Sequence, residues 1–157
     1  MSERNKIRLG IIFGGKSGEH EVSLMSAASV IRAVNKEKYD LVYLGITKAG
    51  EWKIFKGSED AIEDGSWIND AQPFNPGDLK SVIDFALPIM HGPYCEDGRI
   101  QGFFEMMDIP YGGCGVLASA VAMDKLLARD VFIRNGLPVC RHVGVSGSDY
   151  DDDSEAG

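Results

Sequence analysis

Residues able to do chemistry concentrate in the stretch FGGKSGEHEVS, Phe13 to Ser23, where two carboxylates and a histidine follow a pair of glycines. An apolar run leads into this stretch, so it is predicted to begin where a buried strand ends and a helix starts. A carboxylate at that place suits an ammonium group as partner, and the helix N-terminus favours its ionised form. Glu19 is therefore a candidate for binding a cationic substrate. Support of the first helical turn by Glu19 and Glu21 is an equally weighted alternative.

The same stretch also resembles a phosphate-binding loop by letter. GIIFGGKS, from Gly10 to Ser17, reproduces the pattern G-x-x-x-x-G-K-S. The residues between the two glycines are predicted to be strand, whereas such a loop needs a spacer whose amides can circle the anion. The carboxylates that follow would also repel a phosphate. We therefore reject this interpretation.

A second loop of similar character, MHGPYCEDG, Met90 to Gly98, follows the predicted strand VIDFALPI. Ligands of open α/β sheets bind beyond the carboxyl ends of the strands, so the two loops face one cleft if their strands are neighbours. His91 is as well explained by a structural role as by a functional one. Glu96 and Asp97 precede a predicted helix, and for Asp97 an N-terminal helix charge is the preferred role.

The elements that must position these loops are those of an α/β fold. IRLGIIFGG reads as a strand, EVSLMSAASVIRAVNK as a helix and YDLVYLGIT as a second strand, a unit typical of parallel sheets. KAGEWKIF predicts a hairpin, and residues 57–80 an irregular connection. GRIQGFFEMMD predicts a further helix, followed by a short strand in IPYGGCG.

A different pattern begins after residue 114. VLASAVAMDKLLARDVFIRNG predicts one long helix that stops at Gly136 and Pro138, and LPVCRHVGV predicts a strand. The expected organisation is an α/β domain over 1–114, an incomplete second domain over 115–145, and an acidic, disordered tail over 146–157.

Composition excludes several classes of protein. The chain has 157 residues and a formal net charge of −8, which argues against a nucleic-acid partner because phosphate backbones need a basic patch. No apolar run is long enough to span a membrane, and the charged start lacks the apolar core of a secretory signal, so a cytoplasmic location is expected. Cys95, Cys114 and Cys140 have the spacing of neither a disulfide framework nor a zinc site.

Four motifs in this order, FGGKSGEHEVS, HGPYCEDGRIQG, IPYGGCGVLASAVAMDK and NGLPV, closely resemble the amino-terminal half of bacterial D-alanine–D-alanine ligases of the ATP-grasp superfamily. The resemblance runs from about Ile7 to Val145. It implies a three-layer, Rossmann-like (pre-ATP-grasp) α/β domain with a mainly parallel sheet. The first helix and strand of an ATP-grasp central domain would follow.

The resemblance also implies roles for individual residues. Glu19 corresponds to the family's glutamate that holds the ammonium of the first D-alanine, and Val22 to the residue against that substrate's methyl group. His91 corresponds to a substrate-side histidine, and Lys125 to the lysine that reaches the nucleotide phosphates. ATP and Mg²⁺ are implied for the complete enzyme, a homodimer, with no metal ligand in this chain and neither cofactor held firmly by it.

The chain also departs from the family. Cys95 stands where the family usually has glycine, which would strain the loop if that position needs a positive φ. The magnesium carboxylates and the arginine that steadies the reacting carboxylate are not found, so this chain alone is expected to be inactive and prone to self-association. A D-alanyl-D-lactate or D-alanyl-D-serine ligase, or a non-enzymatic module that binds a small molecule, are the alternatives.

Overall fold

The computed structural model describes residues 6–145, and a five-stranded sheet organises most of them. The strands are β1 Ile7–Gly14, β2 Tyr39–Ile46, β3 Trp52–Phe55, β4 Gln72–Pro73 and β5 Phe85–Pro88. The helices are α1 His20–Ala33, α2 Glu59–Glu63, α3 Leu79–Val82, α4 Arg99–Met106, α5 Val116–Met123 and α6 Lys125–Arg134. The predicted mixed α/β fold is confirmed.

The sheet has the strand order β4-β3-β2-β1-β5. β1 pairs in parallel with both β2 and β5, whereas β2–β3 and β3–β4 are antiparallel. The β1-α1-β2 unit and the β2–β3 hairpin therefore form as the sequence predicts. Because β1 lies between β2 and β5, the loop that follows it lies between the loops that follow these two parallel neighbours.

Alternation of side chains along β1 separates two cores, one on each face of the sheet. Leu9, Ile11 and Phe13 pack on α1, whose side chains Leu24, Ala27 and Ile31 are buried. Ile12 points to the other face and joins a second cluster with residues of α3 and α4. Helices thus cover both faces, which gives the expected three layers.

Several local predictions need correction. Residues 57–80 were expected to be irregular, but they hold α2, β4 and the start of α3, together with 3₁₀ turns at Ser66–Asn69 and Pro76–Asp78. The strand predicted in VIDFALPI is shorter, Phe85–Pro88, because Leu79–Val82 is helical. The strand expected in IPYGGCG is reduced to one bridge between Ala86 and Tyr111.

The chain divides into two compact units, one up to Ala120 and one from Val121 onward. In the second unit, the predicted long helix is interrupted at Asp124. This residue leaves the helical conformation (φ −81°, ψ 108°), and its carboxylate accepts hydrogen bonds of 3.0 Å from the backbone N–H groups of Leu126 and Leu127. The side chain thus replaces the carbonyl acceptors of a continuous helix and starts α6.

The strand predicted in LPVCRHVGV is also corrected, since Leu137 to Val145 contain no assigned strand. A strand needs a neighbour for its backbone hydrogen bonds, and no strand of residues 6–145 pairs with this segment. The acidic tail 146–157 lies outside the described residues. None of the helices described over 6–145 is long and apolar enough to cross a membrane.

Candidate functional site

The two loops singled out in the sequence begin at the same edge of the sheet. β1 and β5 are parallel neighbours, with Leu9 opposite Phe85 and Ile12 opposite Pro88. Their carboxyl ends therefore lie side by side, and the loops that carry Glu19 and His91 start next to each other. A shared cleft required the two strands before these loops to be neighbours, and this prediction is confirmed.

Glycines at the end of β1 turn the chain sharply into the first loop. Gly14 and Gly15 have φ of +84° and +103°, a region that residues with a Cβ rarely enter. The Gly14 N–H donates to the Ser23 hydroxyl at 2.7 Å, and the Gly15 N–H donates to the Ile46 carbonyl at 2.8 Å. Both amides are thus already engaged. Because the spacer from Gly10 is part of β1, rejection of a phosphate-binding loop is confirmed.

Two serines hold the first loop to the second. The fully buried Ser23 donates to the Ile89 carbonyl at 2.6 Å while accepting from Gly14. The Ser17 hydroxyl donates to the His91 carbonyl at 2.7 Å and accepts from the Glu19 N–H at 3.2 Å. Two separate serine bridges therefore hold the backbone around Glu19 and His91.

Glu19 precedes the first residue of α1, and its side chain does not cap the helix. The side chain is exposed. One carboxylate oxygen lies so close to Gly92 that a Cβ on that glycine would come within 2.5 Å of it. Within residues 6–145 the carboxylate makes no hydrogen bond or ion pair of its own, so it is available to a cationic ligand.

Val22 and His91 lie on the same side of the loops as Glu19. Val22 follows one helical turn after Glu19 and is 50% exposed. One turn further along α1, the Ser26 hydroxyl lies 3.1 Å from Nε2 of the half-buried His91. The start of α1 thus carries Glu19, Val22 and the serine that contacts His91.

The second loop is shaped by its own carboxylates. Glu96 accepts from the Gly92 N–H at 2.9 Å. Asp97 accepts from Tyr94 at 2.9 Å and from Arg99, the first residue of α4, at 3.2 Å. The preferred role of Asp97 at the start of the helix is therefore confirmed.

The condition under which Cys95 would strain this loop, a positive φ at its position, is not met. Cys95 does not have a positive φ, whereas its neighbour Tyr94 does (φ 74°). Cys95 is instead buried, and burial raises the pKa of its thiol to about 11. The site therefore tolerates the side chain by enclosing it in the core.

Serines were the residues that sequence reasoning missed. The hydroxyls of Ser17 and Ser23 hydrogen-bond to backbone carbonyls of the second loop region, and the hydroxyl of Ser26 contacts the His91 ring. None of the three was singled out in the sequence. His20, to which no role was assigned, is buried with Nδ1 2.8 Å from the Gly15 carbonyl, so it stabilises the turn. One signal in the sequence could have indicated these residues. Ser23 and Ser26 are three residues apart in a predicted helix, so they lie on the same face of it.

Lys125 belongs to the second compact unit, and its role at the nucleotide phosphates stays a prediction. It is exposed at the start of α6, and its Nζ donates to the Ala122 carbonyl at 3.0 Å. Across residues 6–145 there is no group of three or more His, Cys, Asp or Glu side chains that could hold a metal ion.

Comparison with known proteins places the chain in a family. The family model for the D-ala D-ala ligase N-terminus matches residues 8–114. A D-alanine–D-alanine ligase of Thermoanaerobacter sp. (strain X514) is 41% identical over 162 residues, covering 94% of this chain and 45% of the relative. The chain thus spans about half the length of the curated relatives it matches.

Solved structures agree with this match. The VanG D-Ala:D-Ser ligase from Enterococcus faecalis aligns with a TM-score of 0.83 at 32% identity, covering 96% of this chain and 48% of that one. The D-alanine–D-alanine ligase from Bacillus anthracis complexed with ATP aligns with a TM-score of 0.63 at 27% identity, covering 93% and 45%. The chain therefore belongs to the D-ala D-ala ligase N-terminus family.

Proposed function

We propose that this chain supplies the site for the first D-alanine in an ATP-dependent D-alanine–D-alanine ligase of peptidoglycan synthesis. The observation that carries the proposal is the exposed Glu19 carboxylate beside Gly92, with no partner of its own among residues 6–145. In this role Glu19 pairs with the substrate ammonium, and Val22 lies against the methyl group. His91, held by Ser26, bounds the substrate on the other side.

The chemistry assigned to this chain is binding and orientation. The complete ligase would join two D-alanines through an acyl phosphate, with ATP as phosphoryl donor and Mg²⁺ as its metal. The described residues contribute Lys125 toward the nucleotide phosphates and do not form a Mg²⁺ site. The complete enzyme that we propose is cytoplasmic and homodimeric and acts on free amino acids.

A second candidate is a ligase that places D-serine or D-lactate second. It is favoured by the likeness to the VanG D-Ala:D-Ser ligase at 32% identity. Both reactions begin with D-alanine, so the same roles for Glu19, Val22 and His91 apply. The choice of second substrate is decided by offering D-alanine, D-serine and D-lactate in competition and identifying the product by mass.

Phosphate release from ATP tests the proposal. The full-length protein that carries this segment should release phosphate when D-alanine is added, and L-alanine serves as the control. The 157-residue chain alone should release none, because the groups that would stabilise phosphoryl transfer are not among its described residues. Release by the chain alone, or a full-length protein indifferent to D-alanine, would contradict the proposal.

A further inference from the structure

A pocket of about 350 Å³ opens at the same edge of the sheet but excludes Glu19, Val22 and His91 from its lining. It lies between the loop after β1, the β2–β3 hairpin and α4. Its volume is within the range of small-molecule sites. The first loop contributes Lys16 to it, and α4 contributes Arg99 and Phe103.

Aromatic side chains form much of the lining. Trp52 and Phe103 both line the pocket, with ring centroids 6.0 Å apart and planes inclined by 49°. Tyr94 adds a third ring. Such tilted rings present both faces and edges to an occupant, an arrangement that suits a flat aromatic group.

Two cations stand over one of these rings. Lys16 Nζ lies 5.4 Å from the centroid of the Tyr94 ring, and Arg99 Cζ lies 4.7 Å from it. Arg99 is also paired with Asp97 at 3.0 Å, whereas Lys16 has no carboxylate partner among residues 6–145. None of the described residues that line the pocket is acidic. The local charge is therefore positive in a chain whose net charge is −8.

Tyr94 is held in place by the backbone. Its φ of 74° is unusual for a residue with a large side chain, and its N–H donates to Asp97 at 2.9 Å. Asp97 therefore fixes both the conformation of Tyr94 and the position of Arg99. The ring and its cations are arranged before any ligand arrives, which lowers the entropy cost of binding.

We infer that this pocket binds a small aromatic carboxylate, whose ring lies among Trp52, Tyr94 and Phe103 and whose charge faces Lys16. The inference is independent of the proposed function. It needs only the lining residues, all of which belong to the compact unit that ends at Ala120.

A pair of matched probes tests the inference. Binding of 1-naphthoate and of the neutral 1-naphthamide to the 157-residue chain is measured by calorimetry. The naphthoate should bind about five-fold more tightly or better, as expected for one partly exposed charge pair. Equal affinities, or no binding of the naphthoate at millimolar concentration, would overturn the inference.

Substitution of the unpaired cation supplies the control. Lys16→Met should reduce naphthoate affinity to that of the amide and leave amide binding unchanged. Lys56→Met removes the same charge from an exposed lysine outside the pocket and should change neither affinity. A Lys16→Met variant that binds naphthoate like the wild type would contradict the assigned role of Lys16.

Tryptophan fluorescence locates the probe. Trp52 lines the pocket, whereas Trp67 is 2% exposed within the other core. Naphthoate should quench Trp52, and Trp52→Phe should remove most of the quenching while calorimetric binding persists. If calorimetry detects binding but the fluorescence of Trp52 is not quenched, the naphthoate binds elsewhere on the protein, and the inference is overturned.

Discussion

The hydroxyl of Ser23 donates a hydrogen bond of 2.6 Å to the backbone carbonyl of Ile89. The same oxygen accepts a bond of 2.7 Å from the Gly14 N–H. One buried side chain on α1 therefore joins the ends of two parallel strands, β1 and β5. This link holds the loops of Glu19 and His91 side by side, and it can be tested apart from activity.

Ser23→Ala should destabilise the chain. It leaves the buried Gly14 N–H and the part-buried Ile89 carbonyl without their partner. An unsatisfied buried group costs about 1–3 kcal/mol, so the two together should cost roughly 2–6 kcal/mol. Urea unfolding measures it. Ser29→Ala is the control, because within residues 6–145 the exposed Ser29 hydroxyl donates only to the Met25 carbonyl of the same helix. A loss of about 0.5 kcal/mol or less is expected for it. Equal effects of the two changes would contradict the link.

Thiol reactivity should separate the three cysteines. Burial raises the pKa of Cys95 to about 11, so at pH 8 its thiol is almost wholly protonated and unreactive. Cys114 and Cys140 are exposed. A disulfide reagent should therefore modify two thiols quickly in the native chain and all three in denaturant.

The reaction of Cys95 with the disulfide reagent should depend on pH, because burial raises the pKa of its thiol. The thiolate fraction of Cys95 rises about tenfold per pH unit until its raised pKa of about 11, so its slow reaction should accelerate by about that factor per pH unit above pH 8. Cys95→Ala should abolish the slow phase alone. Three equally fast thiols at pH 8 would show that Cys95 is not enclosed.

Self-association is expected of the isolated chain, because apolar side chains of the second unit are exposed. Leu127, Phe132 and Ile133 on α6 are 52%, 46% and 51% exposed. Sedimentation should show larger species that increase with concentration. Phe132→Lys should shift the equilibrium to monomer, and Asn135→Lys, which adds the same charge at the end of α6, should not. A strictly monomeric wild-type chain would refute this.

The sequence predicts those elements whose periodicity is strong and local. The β1-α1-β2 unit and the position of α4 follow from apolar spacing alone. The interruption of the helix at Asp124 does not follow from apolar spacing. There the side-chain carboxylate accepts the N–H hydrogen bonds that backbone carbonyls would accept in a continuous helix, and apolar spacing does not show which acceptor prevails.

The sequence predicts Glu19 and His91 of the candidate site. It does not predict the serines whose hydrogen bonds hold the two loops in place. Glu19 and His91 stand out because of their residue types at strand ends. Ser17 and Ser23 do not, because a hydroxyl that bridges two loops is specified by distances between residues more than 60 positions apart in sequence. The positive φ at Tyr94 likewise arises from Asp97 and the turn around it.

The most direct measurement is the steady-state kinetics of Glu19→Gln in the full-length protein. The change keeps the shape and removes the charge that would bind the first D-alanine's ammonium. Loss of a charge-assisted hydrogen bond of roughly 1.5–3 kcal/mol corresponds to a fall of about 10- to 150-fold in kcat/KM for that substrate. The KM for ATP should change little. The melting temperature should hardly move, since Glu19 does not cap α1.

Glu21→Gln is the matched control two residues away. Glu21 is exposed and paired with Lys48, which lowers its carboxyl pKa, so its loss should leave the kinetics close to wild type. The account predicts a large kinetic loss for Glu19→Gln alone at unchanged stability. Near-normal turnover of Glu19→Gln with a lowered melting temperature would contradict it and leave Glu19 as a support of the helix.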